Sequence, residues 1–272
     1  MSSVPSPAVL LPVRLLAPSG PWDEVVADWA REGTVLAYGV VPEWVPSCGA
    51  DADRLAADEP CRWAALRGER LRARFLASRF LLRSVVGAVT GTGWRGVRPD
   101  RTPLGRPYVR GLPGLRVSLS HSGPVLAVAV SGHGAIGVDT ERAGRGTSLS
   151  PAHVCTAEEA GRLAGLRDDE RAAELLRLWT LKEAYTKALG VGLRRSPRSF
   201  GFAPGARGPV LRDGGEGEPD PHRRWSFATR LVRSALPEPY LLSVAAAQPA
   251  DSGRAAVASG RSASDMSPLR TA

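Results

Sequence analysis

Cysteine is scarce in this chain. Cys48, Cys61 and Cys155 are the only three in 272 residues, an odd number with no Cys-x-x-Cys among them. None lies at zinc-ligand spacing from the four histidines. A disulfide scaffold and a structural zinc are therefore not expected, and a reducing, cytoplasmic setting is. Long apolar runs are equally scarce. The opening AVLLPVRLLA is broken by Pro12 and Arg14, lacks a basic leader and is too short to cross a bilayer, so neither a membrane span nor a signal peptide is expected. Aromatic residues make up 6%, with five Phe and four Tyr, and no basic patch is interleaved with them. That argues against a nucleic-acid-binding module. No short-period repeat is present, which excludes solenoids and propellers.

What is abundant is positive charge. The formal net charge is +9, most of the cationic residues being arginine, and 43% of the chain is hydrophobic. The apolar content is enough for one good-sized core or two small ones. The charge points to acidic partners, whether phosphate-bearing ligands, an acidic protein or nucleic acid. A compositional bias toward Ala, Arg, Gly and Pro would produce the same excess, and composition does not separate the two.

The chain reads as alternating strands and helices. Residues 1–20 are rich in Pro and Ser and are expected to be partly flexible. TVLAYGVV from Thr34 is a buried strand, and the pattern is helical from about Arg54 to Gly87, with Leu71, Phe75, Leu82 and Val86 on one face. TGTG at 90–93 ends it, and RTPLGRPYV is a turn into an extended segment. LRVSLS, HSGP and VLAVAVSG read as strand, tight turn and strand, and GVDTE as another strand. Ser150-Pro151 and Thr156 with Glu158 and Glu159 mark helix starts. A long helix is predicted from Asp168 to Leu189, stopped by Gly190 or Gly192. GGEGEPDP at 214–221 is a loop, and WSFATRLV and YLLSVAAA are closing strands. Residues 249–272 have almost no large apolar side chains and are expected to be a disordered tail.

Four places carry candidate chemistry. In an extended GVDTE, Ile136 and Val138 face one way and Asp139 and Glu141 the other. Two adjacent carboxylates repel unless a cation stands between them, and hard divalent cations take such oxygen ligands together with substrate phosphates. A strand end dissolving into a charged turn is the alternative. In WTLKEAYTKALG, Leu178, Leu181, Tyr185 and Leu189 form an apolar stripe, with Trp179, Glu183 and Lys187 on another face and Lys182 flanking. Glu183 and Lys187 at i,i+4 are either a surface ion pair or part of a site. His121, between Ser120 and Ser122, suits a phosphate or simply a turn. Arg106, before Pro107, is a bidentate phosphate ligand or a solvated loop cation.

Order and spacing join these places. GRPY, V-S-L-S-H-S, G-V-D-x-E and, 44 positions from Asp139 to Glu183 (183 − 139), W-x-x-K-E-A-x-x-K-A-x-G-x-G-L follow one another. This series resembles the 4′-phosphopantetheinyl transferases, in particular their Sfp-type branch, over about residues 55–245. The arginine-rich segment before it is similar to that family's N-terminal helix. Thr140 stands where the family has Ile, and Arg106 where it has Lys.

The resemblance implies an α+β fold of two similar subdomains about a pseudo-twofold axis, each a small, mostly antiparallel sheet against a long helix. The halves would be residues 1–132 and 133–248, the second carrying the metal site, and the active site would lie between them. It implies transfer of the phosphopantetheine arm of coenzyme A to a serine of an apo acyl or peptidyl carrier protein, as in secondary metabolism. Adenosine 3′,5′-bisphosphate and the holo carrier protein would be the products. Asp139, Glu141 and Glu183 would bind Mg²⁺, with Mn²⁺ as the alternative ion. Glu183 and Lys187 would be catalytic, Glu183 as the base for the serine. Arg62, Arg74, Arg106, Ser120, His121, Lys182 and Lys187 would bind coenzyme A. The resemblance further implies a monomer that docks an acidic carrier-protein helix near residues 142–160 and uses neither nucleic acid nor membrane. A catalytically silent coenzyme A binder is the competing reading, against which the full carboxylate set speaks.

Overall fold

The computed structural model describes residues 12–57, 59–144, 149–191, 194–206, 208–212, 224–233 and 236–248. The loop expected at 214–221 and the tail expected at 249–272 lie outside the described residues.

Two sheets of like construction dominate. The first contains β1 (Val13–Leu15), β2 (Thr34–Val40), β5 (Arg116–Ser122) and β6 (Val125–Ser131) in the order β1-β2-β6-β5. The second contains β7 (Ile136–Arg142), β10 (Trp225–Val232) and β11 (Tyr240–Ala247) in the order β10-β11-β7. Apart from the added edge strand β1, the two share one antiparallel plan: β2 pairs with β6 and β6 with β5, as β7 pairs with β11 and β11 with β10. Each also carries a 22-residue helix: α5 (Glu69–Thr90) packs on the first sheet and α8 (Asp168–Leu189) on β7 and β11. The architecture is α+β, with the turn at 132–135 joining the two sheets.

Separate apolar clusters build the two halves. Trp44, Phe80, Leu81, Val85, Leu126 and Val128 fill the first, and Leu178, Leu181, Tyr185, Phe200, Phe202 and Phe227 the second. A third cluster lies between the sheets, where Leu36, Tyr38 and Ala127 meet Ile136, Val138 and Leu242. The even positions of β7 therefore face apolar surroundings, as the alternation predicts. Thr140, among them, is fully buried, and its hydroxyl donates to the Leu241 carbonyl at 2.9 Å. A Thr is accommodated there because its polar atom is satisfied.

The expected helix at 54–87 is three helices: α3 (Ala52–Ala56), α4 (Pro60–Ala65) and α5. Pro60 starts a helix instead of continuing one, and Gly68 precedes α5 at φ 90°, a conformation closed to most side chains. Nor are residues 13–20 loose. β1 runs parallel to β2, and Arg14 binds the buried Asp28 of α1 (Trp22–Glu32) at 2.6 Å. The remaining short elements are α2 (Val41–Cys48), β3 (Pro99–Arg101), β4 (Pro107–Val109), α6 (Pro151–Val154), α7 (Ala157–Ala164), β8 (Gly201–Ala203) and β9 (Val210–Arg212). All three cysteines are free thiols, and no helix among the described residues is long and apolar enough to cross a membrane.

Candidate active site at the seam between the sheets

The site forms where the edge strand β5 of one sheet meets the edge strand β7 of the other. A backbone ladder does not join them; serine side chains do. V-S-L-S-H-S alternates, so Ser118, Ser120 and Ser122 all face β7. Ser118 Oγ accepts from Val138 N at 3.1 Å and Ser120 Oγ from Thr140 N at 3.4 Å. Ser120 Oγ donates to Asp139 Oδ1 at 2.7 Å, and Ser122 Oγ to Glu141 Oε2 at 2.8 Å. The carboxylates of the second half are thus oriented by hydroxyls of the first.

Helix α8 supplies the rest. It approaches β7 closely because residue 137 is glycine: a Cβ there would stand 1.9 Å from the Ala184 carbonyl oxygen and 2.5 Å from Ala188 N. From this position Lys187 reaches across. Its ammonium donates to Asp139 Oδ1 at 2.6 Å, to Ser120 Oγ at 2.9 Å and to the Val138 carbonyl at 3.3 Å. The charged pair of interest is therefore Lys187 with Asp139, across the seam.

Electrostatics mark the same spot. Burial pushes the Glu183 carboxyl up to about 7, assisted by the neighbouring charges of Asp139 and Glu141 and opposed by Lys187. Burial also raises Glu141, against the hydrogen bond from Ser122. The second oxygen of Asp139, Oδ2, is buried without a hydrogen-bond partner among the described residues. An orphaned buried carboxylate oxygen beside two carboxyls whose ionisation burial disfavours is a donor set short of positive charge, and hard oxygen ligands suit Mg²⁺. The fit is one of chemistry and proximity: among the described residues the carboxylates are not drawn together as a ready-made three-ligand metal shell.

His121 lies on the opposite side of β5 from the serines. Its surface is exposed, yet the ring is held near 4. Burial by the surrounding protein is the main cause, followed by the positive charge of Arg74, with Lys187 and Arg62 contributing. The ring is neutral at physiological pH. Arg62, Arg74, His121 and Lys187 thus share one field that favours an anion. Arg62 itself is exposed and contacts Glu59 at 3.2 Å. Arg106 lines a cleft of about 170 Å³ with Ser118, Leu119, Lys187 and Gly190. Gly190 caps α8 at φ 76° and leaves room for that arginine: a Cβ would lie 2.9 Å from Arg106 Cδ.

Lys182 does not join this group. Its ammonium is fully buried and is held by Glu159 Oε2 at 2.6 Å and by the carbonyls of Pro197, Val154 and Phe200 at 2.7, 2.8 and 2.9 Å. Expected to steady phosphates, it instead fastens α8 to α6, α7 and the segment before β8. Trp179, placed by helical periodicity on the face of Glu183 and Lys187, packs partly buried against the second core. Glu159, which also closes the capping box with Thr156 and accepts from Phe202 N at 2.7 Å, is the buried counter-ion of Lys182. One signal would have separated Lys182 from the surface cations: of 36 basic residues only Lys182 and Lys187 are lysine. Each sits where a compact ammonium meets several oxygens, a task the planar guanidinium fork does not fit.

Residues 135–245 match the model of the 4′-phosphopantetheinyl transferase superfamily. The chain is 34% identical over 175 residues to the L-aminoadipate-semialdehyde dehydrogenase-phosphopantetheinyl transferase of Eremothecium gossypii, covering 61% of this chain and 58% of that one. It is 28% identical over 179 residues to the 4′-phosphopantetheinyl transferase of Bacillus subtilis, covering 65% and 75%. To the 4′-phosphopantetheinyl transferase HetI of a Nostoc species it is 32% identical over 149 residues, covering 53% and 63%. The match thus spans less than two thirds of the Eremothecium and Nostoc relatives.

Proposed function

We propose that this protein is an enzyme of the Sfp-type branch that transfers the 4′-phosphopantetheine arm of coenzyme A to a serine of an apo acyl or peptidyl carrier protein. The observation that supports this most is the convergence of Asp139, Glu141, Glu183 and Lys187 on the serine-stitched seam, beside a cleft lined by Arg106.

In the reaction the carrier serine oxygen attacks the phosphorus bearing the pantetheine arm. A new phosphoester bond forms, the pyrophosphate bond breaks, and adenosine 3′,5′-bisphosphate leaves. The serine proton must go to a base, and Glu183, raised to about 7, is matched to that task near neutral pH. Asp139, Glu141 and Glu183 would hold Mg²⁺ or Mn²⁺, which when bound offsets charge on the pyrophosphate. Lys187 keeps an ammonium at the same place and orients Asp139. Neutral His121 contributes a ring hydrogen bond to a phosphate, while Arg62, Arg74 and Arg106 supply fixed positive charge. Lys182 acts only by fixing α8.

The protein is proposed to act as a cytoplasmic monomer, and the acidic helix of the carrier protein to dock near 142–160. Residues 145–148 of that stretch lie outside the described residues. The test is incubation with coenzyme A, Mg²⁺ and an apo peptidyl carrier protein, followed by intact mass of the carrier. A gain of one phosphopantetheine arm, lost with chelator and in Glu183→Gln, is expected. No gain across several apo carriers while coenzyme A still binds would assign the protein as a silent binder.

A further inference from the structure

Glu59 precedes Pro60 at the start of α4 but makes no cap to its own helix. Its carboxylate, one-tenth exposed, is the hub of three arginines, one from α4 itself and two from distant parts of the first half. Oε1 takes the Nε of the buried Arg79 at 2.8 Å and its NH2 group. Oε2 takes Arg101 Nε at 2.8 Å and Arg62 NH1 at 3.2 Å. Two of these arginines lead to the seam. Arg62 contributes to the field at His121, and Arg101 lines the same cleft as Arg106 and Lys187. Arg101 is also locked to the Gly105 carbonyl at 2.6 Å, in the turn where Thr102 and Arg106 exchange hydrogen bonds. The guanidinium is thereby fixed at two of its three nitrogens, leaving NH2 donors for a ligand in the cleft.

One carboxylate among three guanidinium groups leaves a net excess of two positive charges (three minus one). A cluster built only to stabilise the fold would gain by pairing them. An excess held rigidly beside an accessible cleft is suited instead to an incoming polyanion.

We propose that Arg101 is a further phosphate-binding residue for the bisphosphorylated nucleotide of coenzyme A, and that Glu59 is the positioning residue that holds Arg101 and Arg62 ready for it. This rests on the transferase reading above. Net charge alone makes the opposite forecast for Glu59: removing a carboxylate beside an anion site should tighten binding. Loss of a fixed geometry should weaken it, because flexible arginines must then be ordered when the ligand binds.

The experiment is calorimetric binding of adenosine 3′,5′-bisphosphate to the full chain and to Arg101→Gln, Arg101→Lys and Glu59→Gln, with thermal unfolding of each. Arg101→Gln should weaken binding about ten- to a hundredfold, the range for a lost hydrogen bond to a charged group. Arg101→Lys, which keeps the charge but not the fork, should recover only part. Glu59→Gln should weaken binding severalfold although it adds a positive charge, and combining it with Arg101→Gln should cost less than the two separate losses together. Unchanged affinity in both Arg101 variants, or tighter binding by Glu59→Gln, would overturn the proposal while leaving the transferase reading intact. A wild-type chain that does not bind the nucleotide at all would remove the reading on which it rests.

Discussion

At the scale of single residues, the two lysines carry the sharpest demands. Lys182 sits in a cage of four oxygens with no accessible surface. Lys182→Met strands Glu159 as a buried, unpaired carboxylate and should cost about 3–5 kcal/mol. Lys182→Arg should fare no better, since the cage is built for an ammonium; denaturant unfolding of both variants checks this. His121 offers a second test. Its folded value, about 4, lies below the ordinary 6.5, so on acidification the unfolded chain takes up the proton first. Its contribution to stability should therefore fall as pH drops from about 6.5 to 4 and level off below. NMR titration of the His121 ring in the free protein should give a midpoint near 4, and a midpoint near 6.5 would contradict the burial and neighbouring positive charge assigned to the ring. These two residues also show what sequence reading reaches. The spacing of His121, Asp139 and Glu183 was legible because each is fixed by a short local motif. The inward turn of Lys182 was not, because helical periodicity gives a residue's azimuth but not which distant segment covers it. Glu59 was silent for the same reason: its three partners are 3, 20 and 42 positions away.

At the scale of elements, the closeness of β7 and α8 is the structural condition for the site. Gly137 permits it, and Gly137→Ala would drive a methyl group into the Ala184 carbonyl. The strand and helix must separate, with a loss of about 1–3 kcal/mol for overpacking and a displaced Lys187–Asp139 contact. Transfer activity should fall further than stability alone requires, which parallel unfolding and rate measurements on Gly137→Ala would reveal. β5, β6, β7 and α8 were readable from alternation, helical period and the terminal Gly190. The helix expected over 54–87 was broken by Pro60 and Gly68, local signals that outrank a continuing apolar rhythm. β1 escaped notice because a three-residue strand is specified by its neighbour β2, not by its own sequence.

At the scale of the whole molecule, duplication of one small plan places two sheet edges side by side, and the seam belongs to neither half alone. That fits a reaction whose two substrates must both reach one point. The +9 charge acquires a role here if the partner is acidic. Raising ionic strength should then raise the KM for carrier protein while changing kcat little, because salt screens encounter more than it alters the buried seam. An unchanged KM across that range would exclude electrostatic steering. The central claim is the transfer itself. Its most direct test is to quantify, in one reaction with coenzyme A, Mg²⁺ and an apo carrier protein, both the carrier's mass gain and the adenosine 3′,5′-bisphosphate released. Equal amounts, with neither formed by Glu183→Gln, are predicted. Nucleotide released without a matching gain on the carrier, or neither product from the wild type, would contradict the account.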